Sequence, residues 1–298
     1  MMTRSEQYQR LCSAISGVIS GAIGGHGAAA VAFSGGVDSA LVCAAAFDAL
    51  GSKAIAVTIV SPMLPAREIE DAKRIAGLIG IEHALLPAPV IEDDVAGNPV
   101  DRCYHCKKHE FGAVIEYARA RGIHAVLDGS NADDEGDYRP GMRAVAELGV
   151  ISPLRDARLT KLDVRALAKE RALPIWDKPA FACLASRIPY GETIDIEKLA
   201  AVERAEAVLT EAGFRQARVR RHSIPGGALA RIEVAPEERS AFFNTALLDD
   251  LSEKIKKTGF VYAAFELAGY ATGSMNAVLN AMTADGSRSG EEADDGGR

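Results

Sequence analysis

Apolar positions in the first half of the chain fall into short runs separated by turns. Ala28–Phe33, Lys53–Val60, Glu82–Leu86 and Ile123–Leu127 are rich in Ala, Val, Ile and Leu and have the length of buried strands. Between them Asp38–Leu50, Ala66–Ile79 and Cys106–Arg121 carry apolar residues at helical spacing, and another helical stretch, Ser5–Ile23, ends in Gly24-Gly25. Strands that alternate with helices predict an α/β fold, a doubly wound parallel sheet with helices on both faces.

The pattern changes after Pro179. Ile196–Ala212 reads as an amphipathic helix, Arg215–His222 and Leu229–Val234 as strands joined through the turn 223–227, Pro236–Lys257 as helical and Phe260–Leu267 as a strand. That is a smaller α+β domain. From Thr283 onward Gly, Ser, Asp and Glu leave no apolar face, which predicts a disordered tail. The resulting boundaries are 1–188, 189–276 and a tail at 277–298.

No apolar run approaches a membrane span, and no basic-then-apolar leader opens the chain, so a cytoplasmic enzyme without membrane contact is expected. The net charge of −7 argues against a broad electrostatic grip on nucleic acid. Five cysteines are an odd number, which favours free or ligating thiols over a disulfide framework.

The segment Ser34-Gly35-Gly36-Val37-Asp38-Ser39 lies between the first sheet strand and the next helix. Ligands of open parallel sheets bind at the carboxyl ends of strands. Gly35 and Gly36 allow a tight turn that brings bare amides to an anion, and the helix N-terminus adds to them, so phosphate can be held without a lysine in the loop. Ser34 and Ser39 offer hydroxyls. Asp38 would repel a bare phosphate, so it makes sense beside Mg²⁺ or as a helix cap.

Cys12 and Cys43 sit in apolar helical stretches and read as small core residues. Cys103 and Cys106 have ligand spacing, and Cys183 lies in a Pro-bounded loop after Lys178 and before Arg187. Three thiolates suit a 4Fe-4S cluster with one open iron. A zinc site would need His105 or His109 to complete it, and a redox pair is a third reading. Nearby Lys178 and Arg187 would favour thiolate at Cys183.

Two resemblances sharpen this. SGGVDS after an apolar strand resembles the PP-loop of the ATP pyrophosphatases, which cleave ATP to AMP and pyrophosphate. Asp101–Lys107, Asp128–Asp134, Asp137–Gly141 and Cys183–Gly191 are similar to motifs of the LarE family, ATP-dependent sulfur transferases of nickel-pincer nucleotide biosynthesis. The similarity runs from the PP-loop to about Asn276. It implies ATP and Mg²⁺ as cofactors and a small-molecule nucleotide substrate, pyridinium-3,5-biscarboxylate mononucleotide. It also implies a homo-oligomer, with a hexamer among the family's forms, and no nucleic-acid partner. In one subgroup a cysteine at the Cys183 position surrenders its sulfur; in another three cysteines hold a 4Fe-4S cluster. Cys103 and Cys106 beside Cys183 favour the cluster subgroup.

An adenylate and its pyrophosphate need cationic partners. Lys107, Arg139 and Arg187 are candidates, as are Arg218 and Arg220, which a strand places on one face. A solvated strand face is the bland reading of those two, but the family's arginines here contact substrate phosphate. Asp133 and Asp134 are candidates for Mg²⁺ or nucleotide, and Glu233 for a metal or base group. Trp176 reads as buried. In the family Gly269-Tyr270 is usually followed by arginine; here Ala271 follows, and Arg221 is a candidate replacement. The competing functions are a tRNA thiolase, which should carry a basic RNA face, an amide-forming adenylating synthetase, and a nucleotide sensor without turnover.

Overall fold

The computed structural model describes residues 2–21, 27–136, 140–179, 182–271 and 273–274. Two compact units divide the chain, Met1–Cys183 and Leu184–Arg298.

In the first unit, helix α1 (Arg4–Gly21) precedes strand β1 (Ala29–Ala32), helix α2 (Val37–Leu50), β2 (Ala54–Val60), α3 (Ala66–Ile79) and β3 (Glu82–Pro87). Then come the short α4 (Asp93–Ala96), α5 (Arg102–Ala120), β4 (Ala125–Leu127), α6 (Pro140–Glu147), α7 (Pro153–Asp156) and α8 (Lys161–Glu170). The sheet order is β3-β2-β1-β4, and every pairing is parallel. Along β1 the side chains alternate between two cores. Ala29 and Val31 face a cluster with α1, α2 and α8, and Ala30 faces a second one with Phe111, Val114 and Val145 of α5 and α6. The α/β expectation, with helices on both faces, holds. Helix α2 is apolar nearly all round and correspondingly buried, from Val37 through Ala46 apart from Asp38.

The chain runs β1→β2→β3 toward one edge and then returns to place β4 on the other side of β1. The order therefore reverses between β1 and β4, and ligands of such sheets bind in the crevice at that point.

The second unit contains α9 (Ile196–Glu211), an antiparallel hairpin of β5 (Ala217–Ile224) and β6 (Gly227–Val234), α10 (Thr245–Lys257) and β7 (Tyr262–Phe265), which pairs parallel to β6. Its core gathers Leu199, Val202, Val219, Ile232 and Leu251, with Phe242 stacked on Phe265 at 4.2 Å between ring centroids.

Several boundaries differ from the sequence reading for physical reasons. Helix α5 starts at Arg102, which puts Cys103 and Cys106 about one turn apart near its start. The single helix expected over Pro236–Lys257 is a 3₁₀ segment, Pro236–Phe243, and then α10. The Asn244 side chain caps α10 by accepting from the Leu247 amide at 3.3 Å, which starts a new helix there. The hairpin turn is two residues, Pro225-Gly226, with Gly226 at φ +83°. Helix α8, absent from the sequence reading, opens on a capping box in which Thr160 and Asp163 satisfy each other's amides. The tail expected at 277–298 lies outside the described residues.

Candidate active site

Strand β1 delivers the chain to the crevice at Phe33. The Thr58 hydroxyl donates to the Phe33 carbonyl at 2.6 Å, so its contact with His83 Nε2 at 2.8 Å has the imidazole as donor. Burial, with the charge of Lys73 behind it, holds His83 below the ordinary imidazole range, which suits this neutral tautomer. Beyond Phe33 the backbone turns at Gly35, φ +75°, where a Cβ would meet the Glu68 carbonyl at 3.0 Å. Glycine answers both constraints.

Gly36 is the N-cap of α2, and no side chain caps it. The first amides of the helix are thus left for an anion. Ser39 donates to the Gly36 carbonyl at 3.2 Å and accepts from the Ser34 amide and hydroxyl at 3.3 and 3.2 Å, so the two serines brace the turn. The loop after β4 closes on the same turn. A Cβ on Gly129 would stand 2.7 Å from the Ser39 nitrogen, so the two backbones pass in direct contact.

Asp38 does not cap α2. Its carboxylate pairs with Lys161, the first residue of α8, and accepts from Asn131 Nδ2 at 3.1 Å. A lysine therefore does stand at this loop, delivered from another helix, and it balances the carboxylate that would otherwise repel phosphate. Asp133 and Asp134 build this arrangement. Asp133 accepts from the Lys161 amide at 2.8 Å, at the start of α8, and Asp134 accepts from the Asn131 amide at 2.9 Å. Lys161, Asn131 and Gly129 were missed in the sequence. The clue to Lys161 was the Thr160…Asp163 capping box, which predicts a helix start.

The cysteines of the first unit separate by environment. Cys43 is fully buried and Cys12 packs against the core, as expected. Cys103 is exposed. The Cys106 thiol donates to Glu110 Oε1 at 3.4 Å, and Lys107 donates to the other oxygen of Glu110 at 3.0 Å. Burial, then the charges of Glu110 and Cys183, push the Cys106 thiol up, and Glu110 raises Lys107. Cys183 is half-buried.

The donor set is right in kind for an iron–sulfur cluster: two thiols one turn apart on α5 and a third that interacts with Cys106. Among the described residues, however, no three His, Cys, Asp or Glu side chains are gathered as a metal-holding group. His105 and His109 both face Asp94, at 3.0 Å each, and among the described residues neither is gathered with the thiols into a metal-holding group. Lys178 is bound to Glu68 and Asp71 at 2.8 and 2.7 Å, so its charge is balanced by carboxylates. Trp176 packs against the core with Lys169 over its ring. Arg139 lies outside the described residues.

In the second unit, Arg218 and Arg220 share one face of β5, and both are 5% exposed, which excludes the solvated-face reading. Arg220 binds Glu233 through Nε and Nη2 at 3.0 and 2.8 Å. Glu233, fully buried, also accepts from Arg231 and from Ser274, so it anchors arginines and is not placed as a metal or base group. Arg187 is fully buried and forks onto Glu206 at 2.8 and 3.1 Å, which makes it part of the unit's frame. Burial, with Arg187 next in effect, pulls the Arg218 guanidinium down to about 10, and its head lies over the Tyr270 ring. Ala271 is exposed, and Arg221 pairs with Glu192.

Residues 8–122 match the NAD synthase family. The chain is 44% identical over 252 residues to an uncharacterised protein of Synechocystis, covering 84% of this chain and 92% of that one. It is 38% identical over 251 residues to the pyridinium-3,5-bisthiocarboxylic acid mononucleotide synthase of Lactiplantibacillus plantarum, covering 84% and 89%. A tRNA-specific 2-thiouridylase of Frankia casuarinae is 33% identical, over only 50% of this chain and 52% of its own.

Proposed function

The chain belongs to the LarE family, that of pyridinium-3,5-bisthiocarboxylic acid mononucleotide synthase, and is an adenylating PP-loop enzyme; on that premise we propose the reaction it performs. It adenylates a carboxylate of pyridinium-3,5-biscarboxylate mononucleotide, releases pyrophosphate, and replaces the activated oxygen with sulfur. The carrying observation is the uncapped amide turn at Gly35–Ser39, which sits at the reversal point of the sheet with Gly129 against it.

A free carboxylate resists attack because oxide would have to leave. Adenylation makes AMP the leaving group, and a sulfur nucleophile can then displace it. The α2 amides and the two serines hold the pyrophosphate end of ATP, while Lys161 supplies positive charge beside them. Mg²⁺ would be held through the nucleotide's phosphates and would offset their charge, since the loop's own carboxylate, Asp38, is engaged by Lys161 and Asn131. Lys107 and Arg139 are the residues proposed for the nucleotide, and Arg218 and Arg220 those proposed for the substrate phosphate. Arg218 supports this role by its place: it is nearly buried on the face of β5 that it shares with Arg220, with its head over the Tyr270 ring.

Cys103, Cys106 and Cys183 would hold a 4Fe-4S cluster, which when bound supplies an open iron for an extra sulfide. Sacrifice of Cys183, which is half-buried with its thiol close enough to raise that of Cys106, is the second reading. The protein's mass separates the two: loss of one sulfur per product marks sacrifice, and unchanged mass marks a cluster-borne sulfide. A homo-oligomer belongs to the same proposal, supported by Phe243 and Leu267, exposed large apolar residues of the second unit. Light scattering reads it directly. No helix among the described residues is long and apolar enough to cross a membrane.

The reaction is tested with substrate whose carboxylates carry ¹⁸O. Transfer of one ¹⁸O to AMP establishes adenylation at the carboxylate. Unlabelled AMP, or ADP in its place, overturns it.

A further inference from the structure

The peptide that joins Phe33 to Ser34 is the last before the phosphate turn, and it is held at both of its polar ends. Its carbonyl accepts from the Thr58 hydroxyl at 2.6 Å, and its amide donates to Ser39 Oγ at 3.3 Å. A peptide is planar, so bonds on its two opposite edges together resist any swing of that plane about the chain. The amide of Phe33, which belongs to the preceding peptide, donates to the Val57 carbonyl at 2.8 Å. Strand β2 therefore fixes the chain on both sides of Phe33 before it reaches Gly35.

These bonds run in one direction. A carbonyl can only accept, so the Thr58 proton is committed to Phe33, and His83 Nε2 must donate to Thr58 Oγ1 at 2.8 Å. At the far end the Gly36 carbonyl can only accept, so the Ser39 proton is committed to it at 3.2 Å. The relay starts at His83 on β3 and passes through Thr58 on β2 and the Phe33–Ser34 peptide. It ends at Ser39 and the Gly36 N-cap of α2. Each donor is polarised by the one before it, and a chain of this kind is stronger than its separate bonds.

Core packing alone does not call for these groups. Thr58 is 1% exposed in a strand otherwise made of Ala, Val and Ile, and valine would fill its place with the same shape and no buried hydroxyl. The His83 ring packs edge-on to that of Phe33, 5.6 Å between centroids, a contact that an apolar side chain would also make. What valine could not supply is a donor aimed at the Phe33 carbonyl. We propose that Thr58 is a positioning residue for the phosphate turn, with His83 orienting its hydroxyl from the neighbouring strand. Thr58 sets the plane from which Ser34, Gly35 and Gly36 follow, and hence the direction in which the uncapped amides of α2 point. The inference rests on the reading of this turn as the pyrophosphate site, but the relay itself is a property of the first unit's structure.

Two measurements on the full-length protein test this. Isothermal titration with pyrophosphate and Mg²⁺ reads the turn apart from the rest of the nucleotide, and amide hydrogen exchange over residues 33–39 reads the relay with no ligand present. Thr58→Val should weaken pyrophosphate binding about tenfold, the upper end for one neutral hydrogen bond, and quicken exchange over 33–39. Thr58→Ser returns the hydroxyl and should restore both. Thr58→Val combined with His83→Leu removes both buried polar partners, so its melting temperature should recover toward wild type while pyrophosphate binding stays weak. A merely structural role would restore the two together. Pyrophosphate affinity within about twofold of wild type in Thr58→Val, or its recovery in the double variant, overturns the proposal. The functional reading is judged separately: if the wild type binds no pyrophosphate while Thr58→Val still quickens exchange over 33–39, the phosphate reading fails and the relay stands.

Discussion

Gly129→Ala isolates the backbone contact on which the phosphate site depends. The added Cβ would lie 2.7 Å from the Ser39 nitrogen, 3.0 Å from its Cα and 3.2 Å from the Asp38 carbonyl carbon. Carbon needs about 3.5 Å from such atoms, so something must give by nearly 1 Å. The obstacle is backbone on the first turn of α2, and the turn is backed by buried Ala40 and Leu41, so it cannot retreat freely. Overpacking of this kind costs about 1–3 kcal/mol. In a chain of this size that lowers the melting temperature by roughly 2–4 °C per kcal/mol. The effect on function is larger, because the displaced amides are those that hold pyrophosphate, and misplacement by about 1 Å costs on the order of 100-fold. Isothermal titration with ATP and a pyrophosphate-release assay measure the two consequences. Gly77→Ala is the control: it lies on α3 with nothing within 4 Å of the new Cβ, and it should hold or gain up to about 1 kcal/mol of stability. If Gly129→Ala binds ATP and releases pyrophosphate within about threefold of wild type, under 1 kcal/mol, the apposition of the two loops is not what shapes the site.

Other expectations follow from the same geometry. Lys161→Met removes the cation at the loop and leaves Asp38 facing phosphate, so ATP affinity falls about 10–100-fold, the weight of a charged hydrogen bond. Adding Asp38→Asn to that variant should recover part of the loss in the same titration. In the second unit the two strand arginines should part company in thermal melts. Arg220→Met removes the fork onto fully buried Glu233, leaving it Arg231 and Ser274, and costs about 3 kcal/mol, whereas Arg218→Met removes a donor to the Ala217 carbonyl and a cation over the Tyr270 ring, costs less, and is read by loss of substrate binding. His83 supplies the pH dependence. Its folded pKa lies below the unfolded value of 6.5, so its neutral form contributes full stability above 6.5, and that contribution is lost as pH falls through the folded value. Melts from acid to neutral pH should show a shallower acid loss in His83→Gln; an unchanged slope contradicts the assignment.

The α/β class was legible because β1, β2 and β4 are apolar runs and the helices between them keep their period. SGGVDS was legible for a different reason: its glycines meet constraints that are local, a positive φ and an uncapped helix start. What escaped the sequence was set by long-range contact. Nothing local marks Lys161 as the partner of Asp38, 123 positions away, or Gly129 as the neighbour of Ser39. Asp133 and Asp134 looked like ligands because loop carboxylates before a helix do, yet their oxygens serve the α8 amide and the Asn131 amide. Arg187 and Glu233 carried catalytic chemistry in their residue types, and only burial opposite a complementary charge identifies them as framework. The helix break at Asn244 was present in the sequence as a cap residue, hidden by amphipathic pattern on both sides of it.

The most direct measurement of the central claim is mass spectrometry of the small molecules after anaerobic incubation with ATP, Mg²⁺, a sulfide source and pyridinium-3,5-biscarboxylate mononucleotide. The account predicts a nucleotide product in which sulfur has replaced a carboxylate oxygen, with AMP and pyrophosphate formed in equal amounts. AMP and pyrophosphate with the dicarboxylate returned unchanged, or an amide in place of the thiocarboxylate when ammonia is present, would contradict it.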